Sequence, residues 1–154
     1  MEKPKHFLYP GAIYVSPKSS MITTILGSCI AICLYDPILQ VGGMNHFMLP
    51  LWNGQGLASP RYGNIAIDKL IKNLESMGSL RSNMKAKVFG GAEIIETKIN
   101  QFMIGERNIR IAKDMLHEEG IPIVGSSTGG KLGRKIIFNT ETGEVRQKFV
   151  GKRK

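Results

Sequence analysis

The chain has 154 residues, 21 Lys and Arg against 12 Asp and Glu, and a formal charge of +9. That length suits one domain, able to bury about 70% of its unfolded surface without a disulfide or metal staple, and a hydrophobic content of 42% excludes a wholly disordered chain. The longest largely apolar stretch, Ile25 to Tyr35, falls short of the ~20 residues that span a bilayer, and the N-terminal run, broken by Pro4 and Pro10, has no continuous apolar signal core.

The first third reads as strands. His6 to Val15 is aromatic and β-branched, interrupted by Pro10-Gly11. Met21 to Tyr35 is β-rich apart from Gly27-Ser28, and Asp36-Pro37 closes it with a turn. Gln40 to Pro50 predicts a second strand beside it. Leu51 to Arg61 is a polar, glycine-rich loop carrying Trp52, which either packs on the domain edge or forms the rim of a site. From Tyr62 to Met77, the residues Ala66, Ile67, Leu70, Ile71, Leu74 and Met77 recur at helical spacing, with Gly78 as the stop. Met84 to Phe89 alternates as a short strand, and Gly90-Gly91-Ala92 turns the chain. Ile104 to Glu119 predicts a second helix with Ile104, Ile111, Ala112, Met115 and Leu116 as its stripe. Ile121 to Val124 is a strand, and Arg134 to Val150 a hairpin with its tip at Thr140–Gly143. The expected fold is α+β: a single domain over residues 1–150, followed by a basic tail at 151–154.

Charge alone does not choose between a solvated basic surface and an acidic partner. Few aromatics interleave the basic residues, which argues against a nucleic-acid platform. Gly90-Gly91 and Gly129-Gly130 lack the spacing and strand-to-helix context of phosphate loops, so both read as turns. Cys29 and Cys33 share one face of an apolar strand, a spacing unsuited to a disulfide between them. No second Cys or His pair completes a zinc site, so free thiols, no metal and no cofactor are expected. The absence of an export signal makes the cytoplasm the expected compartment.

Gly27-Ser28-Cys29 is the segment with chemical promise. A catalytic thiol needs a base and exposed backbone N–H groups, and Gly27 lets the chain bend and a substrate approach. On these residues alone, Cys29 is either a nucleophile or a core thiol. His46 sits in an otherwise apolar strand connected to that of Cys29, where it is either a satisfied core histidine or the base. His6 falls near the terminus and His117 on a helix surface. Hydroxyls are the nearest candidates to orient His46, and strand parity from Cys29 back through Gly27 favours Thr23 over Thr24.

The string Thr24-Ile-Leu-Gly-Ser-Cys-Ile-Ala-Ile-Cys-Leu-Tyr-Asp-Pro37, followed by Gly43-Met-Asn-His-Phe-Met-Leu-Pro50, closely resembles the CheD family of chemoreceptor glutamine deamidases. The resemblance continues in order through Arg61-Tyr-Gly63, Ala86–Ala92, Ile104–Asn108, Gly129-Gly130 and Gly133-Arg-Lys135. It implies a layered domain with a mixed β-sandwich core flanked by helices, similar to the deamidase domain of cytotoxic necrotizing factor toxins. It also implies Cys29 as nucleophile, His46 as general base and acid, Thr23 as the residue orienting His46, and the backbone at Gly27 and Ser28 around the oxyanion. The implied activity is conversion of receptor glutamines to glutamates, with glutamyl methyl ester hydrolysis by the same acyl-enzyme. The implied partners are methyl-accepting chemoreceptors and a CheC-type phosphatase, with no nucleic acid and no membrane insertion. A regulatory module that binds the phosphatase without catalysis is the alternative. The chain departs from the family at Ser127, where an acidic residue usually stands two positions before the second Gly-Gly.

Overall fold

The computed structural model describes residues 3–93 and 103–151. Among these residues nine strands and two helices follow in the order β1 (Lys5–Phe7), β2 (Ile13–Ser16), β3 (Met21–Leu26), β4 (Ile30–Asp36), β5 (Val41–Asn45), α1 (Gly63–Glu75), β6 (Lys85–Gly90), α2 (Ile104–Glu118), β7 (Ile123–Thr128), β8 (Gly133–Asn139) and β9 (Val145–Val150). They form a four-stranded sheet, ordered β1-β3-β8-β9, and a five-stranded sheet, ordered β2-β5-β4-β6-β7. Both sheets are mixed: β1 runs parallel to β3 and β6 parallel to β7, while the other pairs are antiparallel. The expected α+β class, with a sandwich core and flanking helices, is the one observed.

Burial explains the layering. Every residue of β4 is buried, so the strand reads as a continuous apolar run rather than an alternating one. Its even-numbered side chains, Ile30, Ile32 and Leu34, join α1 and α2 in one core. Its odd-numbered ones, Ala31, Cys33 and Tyr35, join Ile22, Leu26, Ile136 and Phe138 of the other sheet in a second core. The five-stranded sheet is therefore the middle layer, between the helices and the four-stranded sheet. No helix among the described residues is long and apolar enough to cross a membrane.

The long apolar segment from Met21 to Tyr35 is two strands in different sheets. Gly27-Ser28-Cys29 is the crossing between them. β5 ends at Asn45 rather than continuing to Pro50, because the Asn45 side chain takes the next ladder position: its Oδ1 accepts the Ile32 N–H at 2.9 Å. β7 begins later than predicted, at Ile123, and carries Ser126, Ser127 and Thr128 into the sheet. Ile121 instead plugs the helix-side core.

The buried line of α2 is Gly105, Asn108, Ala112 and Leu116, with Ile111 and Met115 only partly buried beside it. The predicted stripe is thus rotated toward smaller residues. Close docking accounts for this: a Cβ on Gly105 would stand 2.4 Å from the Gly91 carbonyl oxygen. His6 is paired in β1 and its ring stacks on Tyr14 at 4.0 Å. Trp52 is half-buried, its backbone N–H bonded to Asn64 Oδ1 at 2.9 Å. The run Lys152–Lys154, in the predicted basic tail, lies outside the described residues.

Candidate functional site

Cys29 sits at the crossing between the two sheets, and its backbone is laced to the next glycine turn. Gly91 donates its N–H to the Cys29 carbonyl at 2.9 Å, and Ala92 donates to the Gly27 carbonyl at 3.0 Å. Gly90 and Gly91 reach this position at φ of 110° and 74°, a region that disfavours side chains. A Cβ on Gly90 would fall 2.1 Å from the Cys29 oxygen. Gly90, expected in a turn, is instead the last residue of β6, and the glycine pair buttresses the cysteine loop.

Among the described residues, the N–H groups of Ser28 and Cys29 donate to no other backbone carbonyl. N–H groups without a backbone partner are the kind of donor that an oxyanion requires. The Cys29 thiol is half-buried, and burial raises its pKa above the ordinary thiol value while a backbone hydrogen bond at Cys29 itself pulls it back. Cys33 is fully buried, and desolvation pushes its thiol far above the ordinary range.

His46 follows the end of β5. Ile30 and Phe47 exchange both backbone hydrogen bonds, at 3.0 and 2.9 Å. Cys29 and His46 flank this pair. In the register that pairs Ile30 with Phe47 and Cys33 with Met44, they stand one diagonal step apart on the inter-sheet face. The His46 carbonyl is held by the Gly11 N–H at 2.8 Å.

The ring of His46 is 1% exposed, and its protonation follows from its partners. Thr24 Oγ1 lies 2.7 Å from His46 Nδ1 and 2.7 Å from the Leu8 carbonyl oxygen. A carbonyl can only accept, so the single hydroxyl proton of Thr24 goes to Leu8. The oxygen then accepts from His46, which places a hydrogen on Nδ1. Nε2 retains its lone pair, and among the described residues it is buried with no protein partner. Burial lowers the imidazole pKa from 6.5 to about 4, so the ring is neutral at pH 7. The arrangement is a neutral thiol and a neutral imidazole whose basic nitrogen is Nε2.

The threonine at His46 is Thr24, which corrects the expected Thr23. Ile22, Thr24 and Leu26 face inward from β3, while Thr23 and Ile25 face the other way. The parity argument counted back from Cys29 through Gly27, but the chain changes sheets there and the count does not carry across. Starting from Ile22 and Leu26, the apolar inward residues of β3, gives Thr24.

Asn108 is a site residue that sequence reasoning missed. It is fully buried on α2, and its Nδ2 donates to the Ser28 carbonyl at 3.0 Å and the Met48 carbonyl at 3.1 Å. One side chain thus ties the cysteine loop to the segment that follows His46. The available signal was a lone amide one turn before Ala112 on the apolar stripe. A cleft of about 450 Å³ between Pro50, Leu51 and α2 adjoins this segment, but neither Cys29 nor His46 lines it.

A family model described as CheD chemotactic sensory transduction matches residues 48–149, beginning just past His46. Relatives extend the likeness over the rest of the chain. A protein of Trichlorobacter lovleyi named probable chemoreceptor glutamine deamidase CheD is 51% identical over 92% of this chain and 88% of its own length. One of the same name from Sulfurimonas denitrificans is 48% identical over 99% of this chain and 98% of its own. Another from Rhodospirillum rubrum is 42% identical over 92% and 80%.

Proposed function

The chain belongs to the CheD family, and from that premise we propose that it converts glutamine side chains of chemoreceptors to glutamate, with Cys29 as nucleophile and His46 as base. The observation that carries the mechanism is the chain of bonds from His46 Nδ1–H through Thr24 to the Leu8 carbonyl, which makes Nε2 the basic nitrogen of a ring one diagonal step from Cys29 in the β4–β5 register.

In the first half-reaction Nε2 takes the thiol proton as sulfur bonds to the carboxamide carbon. The oxyanion meets the N–H groups of Ser28 and Cys29. The imidazolium returns its proton to the departing nitrogen, ammonia leaves and a thioester remains. In the second half-reaction Nε2 deprotonates a water that attacks the thioester. The C–S bond breaks, sulfur recovers the proton and glutamate is released. A glutamyl methyl ester would form the same acyl-enzyme with methanol as the leaving group. Thr24 acts through His46 by fixing its tautomer, and Asn108 acts through the backbone by fixing the loop. The receptor's cytoplasmic region is the substrate, which puts the enzyme in the cytoplasm.

The test is incubation with receptor cytoplasmic fragments, with mass spectrometry of each glutamine. Amide-to-acid conversion should appear at defined glutamines and vanish with Cys29→Ala, while Cys33→Ala retains it. Conversion that survives Cys29→Ala would remove the thiol from the mechanism.

A further inference from the structure

Arg134 is a buried cation that meets no carboxylate among the described residues. It is 4% exposed, lies opposite Leu26 of β3, and shares its face of β8 with Ile136 and Phe138 of the inter-sheet core. Its Nε donates to Ser127 Oγ at 3.1 Å and its Nη1 to the Gly90 carbonyl at 3.4 Å. The guanidinium carbon lies 5.1 Å from the centroid of the Phe149 ring. Nη2 has no protein partner among the described residues, yet it is not among the fully enclosed unpartnered atoms, so it keeps contact with solvent.

Taking a charge out of water is costly, and buried guanidinium groups ordinarily meet a carboxylate. Burial depresses the Arg134 pKa. The Ser127 hydroxyl, a neutral acceptor, occupies the Nε position. The cation is also close to the site. The Gly90 carbonyl that receives Arg134 directly precedes Gly91, whose N–H holds the Cys29 carbonyl.

We propose that Arg134 is a carboxylate-binding subsite, which receives an acidic side chain of the protein substrate near the target glutamine. The planar fork of a guanidinium matches a carboxylate, and Nη2 supplies the solvent-facing donors. The proposal rests on the deamidase reading for the identity of its ligand, and its test separates the two.

Cys29→Ala protein, titrated with fluorescein-labelled helical peptides, reports binding without turnover. Each peptide carries one glutamine and a single glutamate one, three or four residues away, and is matched by a peptide with glutamine in place of that glutamate. At one of these positions the glutamate peptide should bind about tenfold tighter. Adding Ser127→Asp places a carboxylate at Nε and should shrink the preference to within about twofold, as should Arg134→Gln. Ser127→Asp supplies the missing counter-ion and should raise Tm, so the proposal stays testable if Arg134→Gln does not fold. Equal binding of the matched pairs, no binding at all, or a preference that Ser127→Asp leaves intact would overturn it. The unmutated protein distinguishes the readings: amide-to-acid conversion without a glutamate preference overturns the Arg134 subsite alone. A preference without conversion preserves the subsite and overturns deamidation.

Discussion

One hydroxyl proton decides the chemistry available to His46. Because Thr24 spends it on the Leu8 carbonyl, its oxygen can only accept from Nδ1, and Nε2 keeps the basic lone pair. Thr24→Val keeps the shape but removes both bonds, and should lower kcat roughly tenfold to a hundredfold, within the range that a positioned base contributes. Thr24→Ser should restore most of that, and Thr23→Ala should stay near the parent, since Thr23 lies on the opposite face of β3. Comparable losses in Thr23→Ala and Thr24→Val would contradict this tautomer. The pH profile provides a second check. With the imidazole pKa lowered to about 4, the base is protonated and lost only as pH falls through that value. On the alkaline side the raised thiol keeps its proton past the ordinary thiol range. The kcat/KM profile should therefore stay flat from near neutrality down to about pH 5, whereas an acid limb near 6.5 would mean a solvated ring.

At the level of elements, α2 is the part that fixes the cysteine loop. Gly105 lets the helix approach the Gly91 and Ala92 carbonyls, where a Cβ would stand at 2.4 and 2.6 Å. Asn108, one turn later, then reaches Ser28 and Met48. Gly105→Ala must push the helix away and should cost about 1–3 kcal/mol, as overpacking does, with a larger proportional loss in kcat than in KM. Gly125→Ala, whose Cβ would meet only the Lys87 side chain at 3.4 Å or more, is the control and should be near neutral. Chemical denaturation alongside steady-state kinetics would compare the two; equal effects would remove helix docking as the cause. The sequence made both helices legible, because period and stop residues are local. It also exposed Gly27-Ser28 as a break. It did not reveal that the break is a change of sheet, because sheet membership depends on pairing with distant strands: β3 finds β8 more than a hundred residues later in the chain. That long-range fact moved the orienting hydroxyl from Thr23 to Thr24. Asn108 was hidden for a related reason, since a buried amide on a helix gains meaning only from the two carbonyls it meets.

Over the whole molecule, the +9 charge has a definite place to act. Lys135 and Lys148 stand directly opposite each other on β8 and β9, both exposed on the outer face of the four-stranded sheet, with exposed Arg146 on the same face of β9. Like charges directly across a ladder destabilise it, so this face costs folding energy whether or not it serves an encounter. If it steers an acidic receptor helix, kcat/KM should fall as salt rises, because the screening length shortens from about 10 Å at 0.1 M to about 3 Å at 1 M. Turnover at saturating substrate should change much less, since Cys29 and His46 lie between the sheets rather than on that face. Lys148→Glu separates the two effects. It converts the repulsive pair into an attractive one, worth about 0.2–1 kcal/mol, and should raise Tm at low salt. The same change should reduce kcat/KM on receptor fragments severalfold at low salt and flatten its salt dependence, with kcat kept. A gain in Tm with an unaltered salt slope would show that the basic face takes no part in the encounter, and would leave the charge as a solvated surface.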